Sequence, residues 1–184
     1  MSHPTTNQRS VEIISRSLEE TYEIGRLLSG LFAGGELIGL SGPLGAGKTE
    51  LVRGVAAGLG VREEISSPTY VLEHIYLLSP GLDRRIESLH HWDLYRLGEN
   101  CGENEILDYR GDSAKIVLVE WPERAKWLLD LLHMIINIEY CDTGQDRQDE
   151  RCLVFSAVAK EGDRLLLSLR NMLKPLGSGK GEKC

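Results

Sequence analysis

Apolar residues recur along this chain at two spacings, interrupted by a few short runs that are apolar almost throughout. Leu18, Tyr22, Gly25, Leu28 and Phe32 follow at helical spacing behind Ser17-Leu18-Glu19-Glu20, a capping-box pattern, so a helix is predicted from there to about Phe32. Val11 to Ser15 reads as a short strand before it. Gly34-Gly35 closes the helix, and Glu36 to Ser41 has almost no polar alternation, as expected of a parallel strand buried on both faces. Leu51 to Gly60 continues as a helix of small and apolar residues capped by Gly60. Tyr70 to Leu78 and Ile86 to Asp93 are rich in β-formers and flank a Ser-Pro-Gly turn, which predicts a hairpin at the sheet edge.

Tyr95 to Gly111 is polar and irregular, with one short helical piece expected near Asn104 to Tyr109. Lys115 to Glu120 is a second strongly buried strand, and it ends on a carboxylate. Pro122 suits the first turn of a short helix through Leu129, with strands at His133 to Tyr140 and Arg151 to Val158 and a last helix from Asp163 to Leu173. Asp142 to Glu150 is an acidic loop. Residues 1–9 and 174–184 read as loose tails around a single domain spanning 10–173, with no internal repeat.

The chemistry concentrates between the first buried strand and the helix after it. Gly42-Pro43-Leu44-Gly45-Ala46-Gly47-Lys48-Thr49 satisfies G-x-x-x-x-G-K-[ST], the phosphate-binding loop signature, in the strand-loop-helix context that signature requires. Gly42, Gly45 and Gly47 let backbone N–H groups converge into a concave nest for phosphate oxygens. The following helix adds about half a positive charge at its N-terminus. Lys48 can bridge the outer phosphates of a triphosphate, and the Thr49 hydroxyl can serve Mg²⁺. These eight residues, with Glu50 behind them, form the expected nucleotide-binding stretch. A nucleoside-triphosphate-binding α/β protein is the expectation.

Such a site needs a further acidic group to hold Mg²⁺ and position the nucleophile, usually at the end of a neighbouring parallel strand. Glu120 ends the run Ile116-Val117-Leu118-Val119, where a carboxylate against hydrocarbon is hard to explain as a solvated face. Asp93, after Leu89-His90-His91-Trp92, is the second candidate. Adjacent His90 and His91 point to opposite faces of a strand, so a zinc pair is not expected. Asp108-Tyr109-Arg110-Gly111 matches the Asp-x-x-Gly of GTPases, but no Asn-Lys-x-Asp reads guanine. Arg84, Arg85, Arg96 and Arg110 could form a kinase-like lid.

Composition changes the picture little. At 184 residues, 41% hydrophobic and 27% charged, the chain is long enough to bury roughly 70% of its extended surface. Its formal net charge of −7 argues against unaided binding to nucleic acid, leaving only a local patch. Cys101, Cys141, Cys152 and Cys184 are scattered, with no zinc or disulfide pattern. The N-terminus lacks the apolar core of a signal peptide, and no run approaches the ~18 residues of a membrane span, so a cytoplasmic protein is expected.

Four landmarks stand in order: the phosphate loop, Ser67-Pro68-Thr69-Tyr70, His91-Trp92-Asp93-Leu94-Tyr95-Arg96-Leu97, and Glu120-Trp121-Pro122-Glu123. The series closely resembles the TsaE (YjeE) family, the ATPase component of the bacterial machinery that makes threonylcarbamoyladenosine beside the anticodon of tRNAs. The resemblance runs from the first helix to about Tyr140. It implies a P-loop NTPase fold with a parallel core sheet, antiparallel additions and flanking helices. It also implies that Thr49 and Glu120 hold Mg²⁺, that Ser67 and Thr69 lie in a switch-like loop near the γ-phosphate, and that Asp93 matters for hydrolysis. Trp121 corresponds to an aromatic neighbour of the site, and Leu18 and Gly144 are the equivalents of two further nucleotide contacts.

The implied activity is slow, Mg²⁺-dependent hydrolysis of ATP, with Lys48, Asp93 and Glu120 as the catalytic set. The implied partners are the TsaB–TsaD pair, reset by ATP binding and hydrolysis while TsaD transfers the threonylcarbamoyl group, and tRNA indirectly through that complex. Three features depart from the family pattern. Pro43 stands where an acidic residue is common and removes one backbone donor from the nest. Glu50 replaces a small hydroxyl residue, and the linker Leu78 to Ser88 is longer than usual. A small-molecule P-loop kinase and a module using ATP only as structural glue remain the alternatives.

Overall fold

The computed structural model describes residues 9–79, 85–96, 103–109, 111–141 and 149–173. Strand β1 (Ser10–Ser15) leads into α1 (Leu18–Leu28), continued by a 3₁₀ turn over Ser29–Leu31. Ser17 caps α1 by accepting from the Glu20 N–H at 3.2 Å, while the Glu20 carboxylate reaches back to the N–H of Arg16 at 2.7 Å. The box therefore closes one residue earlier than the pattern predicts. Ser17→Ala should lower stability by about 1 kcal/mol, measured by denaturant unfolding.

Strand β2 (Leu37–Ser41) and helix α2 (Lys48–Leu59) follow, with Gly60 in the left-handed region ending α2. The hairpin of β3 (Glu73–Leu77) and β4 (Ser88–Asp93) precedes α3 (Glu103–Tyr109) and β5 (Lys115–Glu120). A 3₁₀ turn at Pro122–Arg124 and the short α4 (Lys126–Leu129) replace the single helix expected after Pro122. The break falls at Ala125, whose extended backbone (φ −123°, ψ 91°) separates the two pieces. Strands β6 (Met134–Tyr140) and β7 (Arg151–Ala157) and helix α5 (Lys160–Leu173) complete the order. α5 starts three residues before the apolar pattern does, because its first turn carries the polar residues Lys160 and Glu161.

The seven strands form one sheet in the order β1-β7-β6-β2-β5-β4-β3. β6, β2, β5 and β4 run parallel, whereas β7, β1 and β3 add antiparallel at the flanks. Side chains alternate across this sheet and feed two cores. Ile38, Leu40, Leu89, Ile116, Leu118, Ile136 and Phe155 pack against α1, α2 and α5. Leu37, Trp92, Val117 and Val119 face Ile106 of α3 and Leu128 of α4. Both faces of the central strands β2 and β5 are covered, which is why those two read as nearly unbroken apolar runs.

Helices α1 and α2 meet through glycine. A Cβ on Gly54 would lie 1.9 Å from the Tyr22 carbonyl oxygen, and one on Gly25 would lie 2.3 Å from that of Leu51. The missing side chains let the two backbones touch. On the opposite face, a Cβ on Gly39 of β2 would meet Leu132 and Pro122 at 2.8 and 2.9 Å. The turn after β5 is thereby pressed against the central strand. The architecture is that of a P-loop NTPase, a mostly parallel sheet flanked by helices, with the loop between the central strand and α2.

Candidate nucleotide site

Parallel strands leave their carboxyl ends on one edge, where an open α/β sheet presents its binding crevice. In the register, Leu40 of β2 lies opposite Glu120 of β5, and Glu120 lies opposite Asp93 of β4. Leu40, two residues before the phosphate loop, and both candidate carboxylates therefore stand in one row. The two carboxylates line a cavity of about 570 Å³.

The loop leaves β2 at Gly42, whose φ of +137° belongs to glycine and where a Cβ would lie 2.1 Å from the Ile138 carbonyl oxygen. Gly45 and Gly47 also have positive φ, at 78° and 108°. Ala46 is fully buried beneath them. Lys48 begins α2 and folds back over the loop, donating to the carbonyls of Gly42 at 2.7 Å and Pro43 at 2.9 Å. Pro43 thus lacks a donor but supplies an acceptor that holds the lysine.

The ammonium of Lys48 also sits 3.8 Å from the centre of the Trp121 ring. Trp121 adopts φ 60°, ψ 47°, a left-handed conformation unusual for a side chain of its size, and donates its N–H to the Leu40 carbonyl at 3.0 Å. The Tyr95 ring packs against it at a tilt of 46°, with centroids 4.9 Å apart. Burial pushes the Lys48 pKa below its ordinary value, opposed by the charges of Glu120, Glu123 and Asp93. The side chain that would meet a phosphate is held by backbone carbonyls and an indole face at the floor of the cavity.

Thr49, next on α2, donates its hydroxyl to Glu120 Oε1 at 2.8 Å. Glu120 is buried and takes a second contact on the same oxygen from His91 Nε2 at 2.9 Å. Asp93, also buried, is used differently. Its Oδ2 accepts from Ser67 at 2.9 Å and Thr69 at 2.5 Å, while its Oδ1 accepts from the N–H of Tyr95 at 2.9 Å. The Ser67 and Thr69 hydroxyls are 2.6 Å apart. A hydroxyl and a carboxylate in contact at the end of α2 and β5 are hard oxygen groups suited to a small divalent cation.

Of the residues singled out from the sequence, Leu18, Leu44, Gly45, Gly47, Lys48, Thr49, Glu50, Ser67, Thr69, Asp93, Glu120 and Trp121 line this cavity. Gly42, Pro43 and Ala46 shape the loop beneath it. Gly144 lies outside the described residues, as do Arg84 and Arg110. Glu50 is bound to Arg53 at 2.8 Å, and Arg53 in turn donates to the Ile65 carbonyl at 3.0 Å. Arg53 and Tyr95 were not expected at the site. Arg96, counted among four possible lid arginines, lines the cavity and stacks over Tyr70 at 4.5 Å. Arg85 is exposed, and Gly111 of the Asp-x-x-Gly match lies beside Gly35, at the end of the strands away from the phosphate loop.

Adjacent His90 and His91 do part to opposite faces, His90 to Glu73 at 2.7 Å and His91 to Glu120. Among the described residues no cluster of three or more His, Cys, Asp or Glu side chains forms a metal-binding group, and no helix is long and apolar enough to cross a membrane.

Comparison with known proteins gives a consistent picture. The family model described as "Threonylcarbamoyl adenosine biosynthesis protein TsaE" matches residues 15–151. A tRNA threonylcarbamoyladenosine biosynthesis protein TsaE from Streptomyces coelicolor is 44% identical over 102 residues, covering 55% of this chain and 66% of that protein. Its namesake from Mycobacterium leprae is 35% identical over 139 residues, covering 71% of this chain and 83% of that protein. Among solved structures, Bacillus subtilis YdiB superposes with a TM-score of 0.67 at 26% identity, covering 89% of this chain and 96% of that one. With more than half of its length matched by that one family model and its sheet shared with a solved neighbour, the chain belongs to the TsaE family of threonylcarbamoyladenosine biosynthesis proteins.

Proposed function

We propose that this chain is a Mg²⁺-dependent ATPase, slow by itself, that works in the cytoplasm as a switch on the TsaB–TsaD pair during formation of threonylcarbamoyladenosine in tRNA. The observation that carries this reading is the contact of Thr49 with Glu120 at 2.8 Å, one residue beyond a lysine seated on a glycine loop. The residues fit the group. Backbone amides around Gly45 and Gly47 and the ammonium of Lys48 bind the phosphates, and Thr49 and Glu120 hold Mg²⁺. Mg²⁺ neutralises charge on the phosphates when bound. Asp93 orients the attacking water from the neighbouring strand, and Leu18 supplies an apolar wall at the mouth of the site.

The switch follows from one shared carboxylate. Ser67 and Thr69 both donate to Asp93, so the loop carrying them and the end of β4 are held by the same group. Recruiting Thr69 or Asp93 to a ligand breaks that link, and losing the ligand restores it. Two loops then change together on a single binding event. Contact with tRNA runs through partner surfaces, because a net charge of −7 opposes a phosphate backbone.

Hydrolysis of ATP by the purified chain, alone and with TsaB and TsaD of the same organism, tests the reading. Turnover should be low alone and should rise several-fold with partners. Glu120→Ala should reduce turnover far more than nucleotide affinity. Partner-independent ADP release stimulated by a metabolite would instead favour a kinase, and hydrolysis undetectable even with partners would favour a structural role for ATP.

A further inference from the structure

The carboxylate placed at the metal position is not held by Thr49 alone. His91 is fully buried, two residues before Asp93 on β4, and its Nε2 lies 2.9 Å from Glu120 Oε1. Its Nδ1 is buried with no hydrogen-bond partner among the described residues. An N–H at Nδ1 would therefore be a buried donor with nothing to accept it, whereas an N–H at Nε2 has a carboxylate in reach. The network places the ring proton on Nε2, directed at Glu120. His91 and Glu120 come from adjacent parallel strands, His91 lying opposite Leu118 in the register, so the pair is set by the rigid centre of the sheet.

We propose that His91 is a positioning residue for Glu120, fixing the carboxylate in the orientation that meets Mg²⁺. The proposal rests on the reading above, in which Thr49 and Glu120 hold the cation. The last torsion of a glutamate is broad and nearly unhindered, so packing alone leaves the plane of the carboxylate free to turn. Two donors on one oxygen, from Thr49 on one side and His91 on the other, remove that freedom. Only His91 does so from a strand and without itself being a ligand. An imidazole N–H held to a carboxylate beside a metal has the same orienting effect that outer partners exert on ligands generally.

The test uses the full-length chain with ADP and no partner, so that binding is read without turnover. Affinity for ADP is measured by calorimetry in EDTA and across a Mg²⁺ series for the wild type, His91→Leu and His91→Gln. The wild type should bind ADP more tightly as Mg²⁺ rises. His91→Leu should need about tenfold more Mg²⁺ for half of that effect, while its affinity in EDTA stays within about twofold of wild type. His91→Gln should recover most of the response, because its amide N–H extends about as far as Nε2.

Should His91→Leu fold poorly, His91→Asn replaces it, since the shorter amide cannot reach Glu120 while Gln can. The proposal is overturned if the Leu and Asn variants respond to Mg²⁺ as wild type does, or if affinity in EDTA falls as much as affinity in Mg²⁺. It is also overturned if Gln is no better than Asn. A wild-type chain whose ADP affinity ignores Mg²⁺ would overturn the metal assignment of Thr49 and Glu120 as well, which separates that failure from failure of the His91 role alone.

Discussion

Lys48→Ala is expected to lower affinity for ATP by a hundredfold or more and to remove hydrolysis, while leaving the melting temperature unchanged or slightly raised. The two halves of this result have different causes. A hundredfold loss corresponds to about 2.7 kcal/mol, the size of one charge-assisted contact to phosphate. The stability half follows from burial, which pushes the Lys48 pKa down despite three nearby carboxylates. A lysine with a lowered folded pKa destabilises the fold wherever it is charged, and that penalty fades as pH rises through the folded pKa toward the unfolded one. Below the folded pKa the penalty is fully present, and there alanine relieves it. The carbonyls of Gly42 and Pro43 then turn to water, Pro43 being exposed. Nucleotide titration alongside thermal unfolding decides the matter. A variant that binds poorly because it has melted would show Lys48 to be structural.

A large loss of stability is expected at Gly54→Ala, at the crossing of α1 and α2. The substitution would gain about 1 kcal/mol in helix propensity. Against this, the new Cβ would stand 1.9 Å from the Tyr22 carbonyl oxygen and 3.0 Å from the Arg26 nitrogen, both backbone atoms that cannot rotate away. The helices must separate by more than an ångström, and a misfit of that kind costs roughly 3 kcal/mol or more. Strain wins. The net loss of about 2 kcal/mol should lower the melting temperature by roughly 4–8 °C. Gly30→Ala is the control, since a Cβ there meets nothing within 4 Å. Nucleotide affinity should fall with Gly54→Ala too, because α1 carries Leu18 to the edge of the cavity and α2 carries Lys48 and Thr49. Equal melting temperatures for the two variants would show that the crossing has slack.

What could be read from the sequence was local. The loop from Gly42 to Thr49 is contiguous, and Lys115 to Glu120 announces both its burial and its terminal carboxylate within six residues. The flanking strands, the β3–β4 hairpin and most helices follow from periodicity in the same way. Apolar spacing predicts a single helix after Pro122 because it does not register an extended residue such as Ala125. Pairing was out of reach for a different reason. On the residues alone Glu120 and Asp93 are two candidates for one role, parted only by the family resemblance, and the contacts themselves, Glu120 with Thr49 and Asp93 with Ser67 and Thr69, need the parallel register. The seat of Lys48 on Trp121 likewise depends on a left-handed residue that composition gives no reason to expect. His91 is legible as the head of a landmark and by the face it points to, but not as the neighbour of Glu120, which lies 29 residues away on another strand.

The connection between β3 and β4 acquires a use once its place is known. It leaves β3 after Leu77 and enters β4 at Ser88, and the Leu78 N–H closes on the Glu87 carbonyl at 2.9 Å, so the hairpin is already stitched before the strands proceed. Asp93 stands five residues further on, at the far end of β4. Length added beyond this closure, at the end of β4 opposite Asp93, leaves the register that delivers the carboxylate unchanged. This is a natural splice point. A reporter domain grafted between Leu78 and Glu87 would be carried at the end of β4 opposite Asp93, leaving the nucleotide mouth untouched.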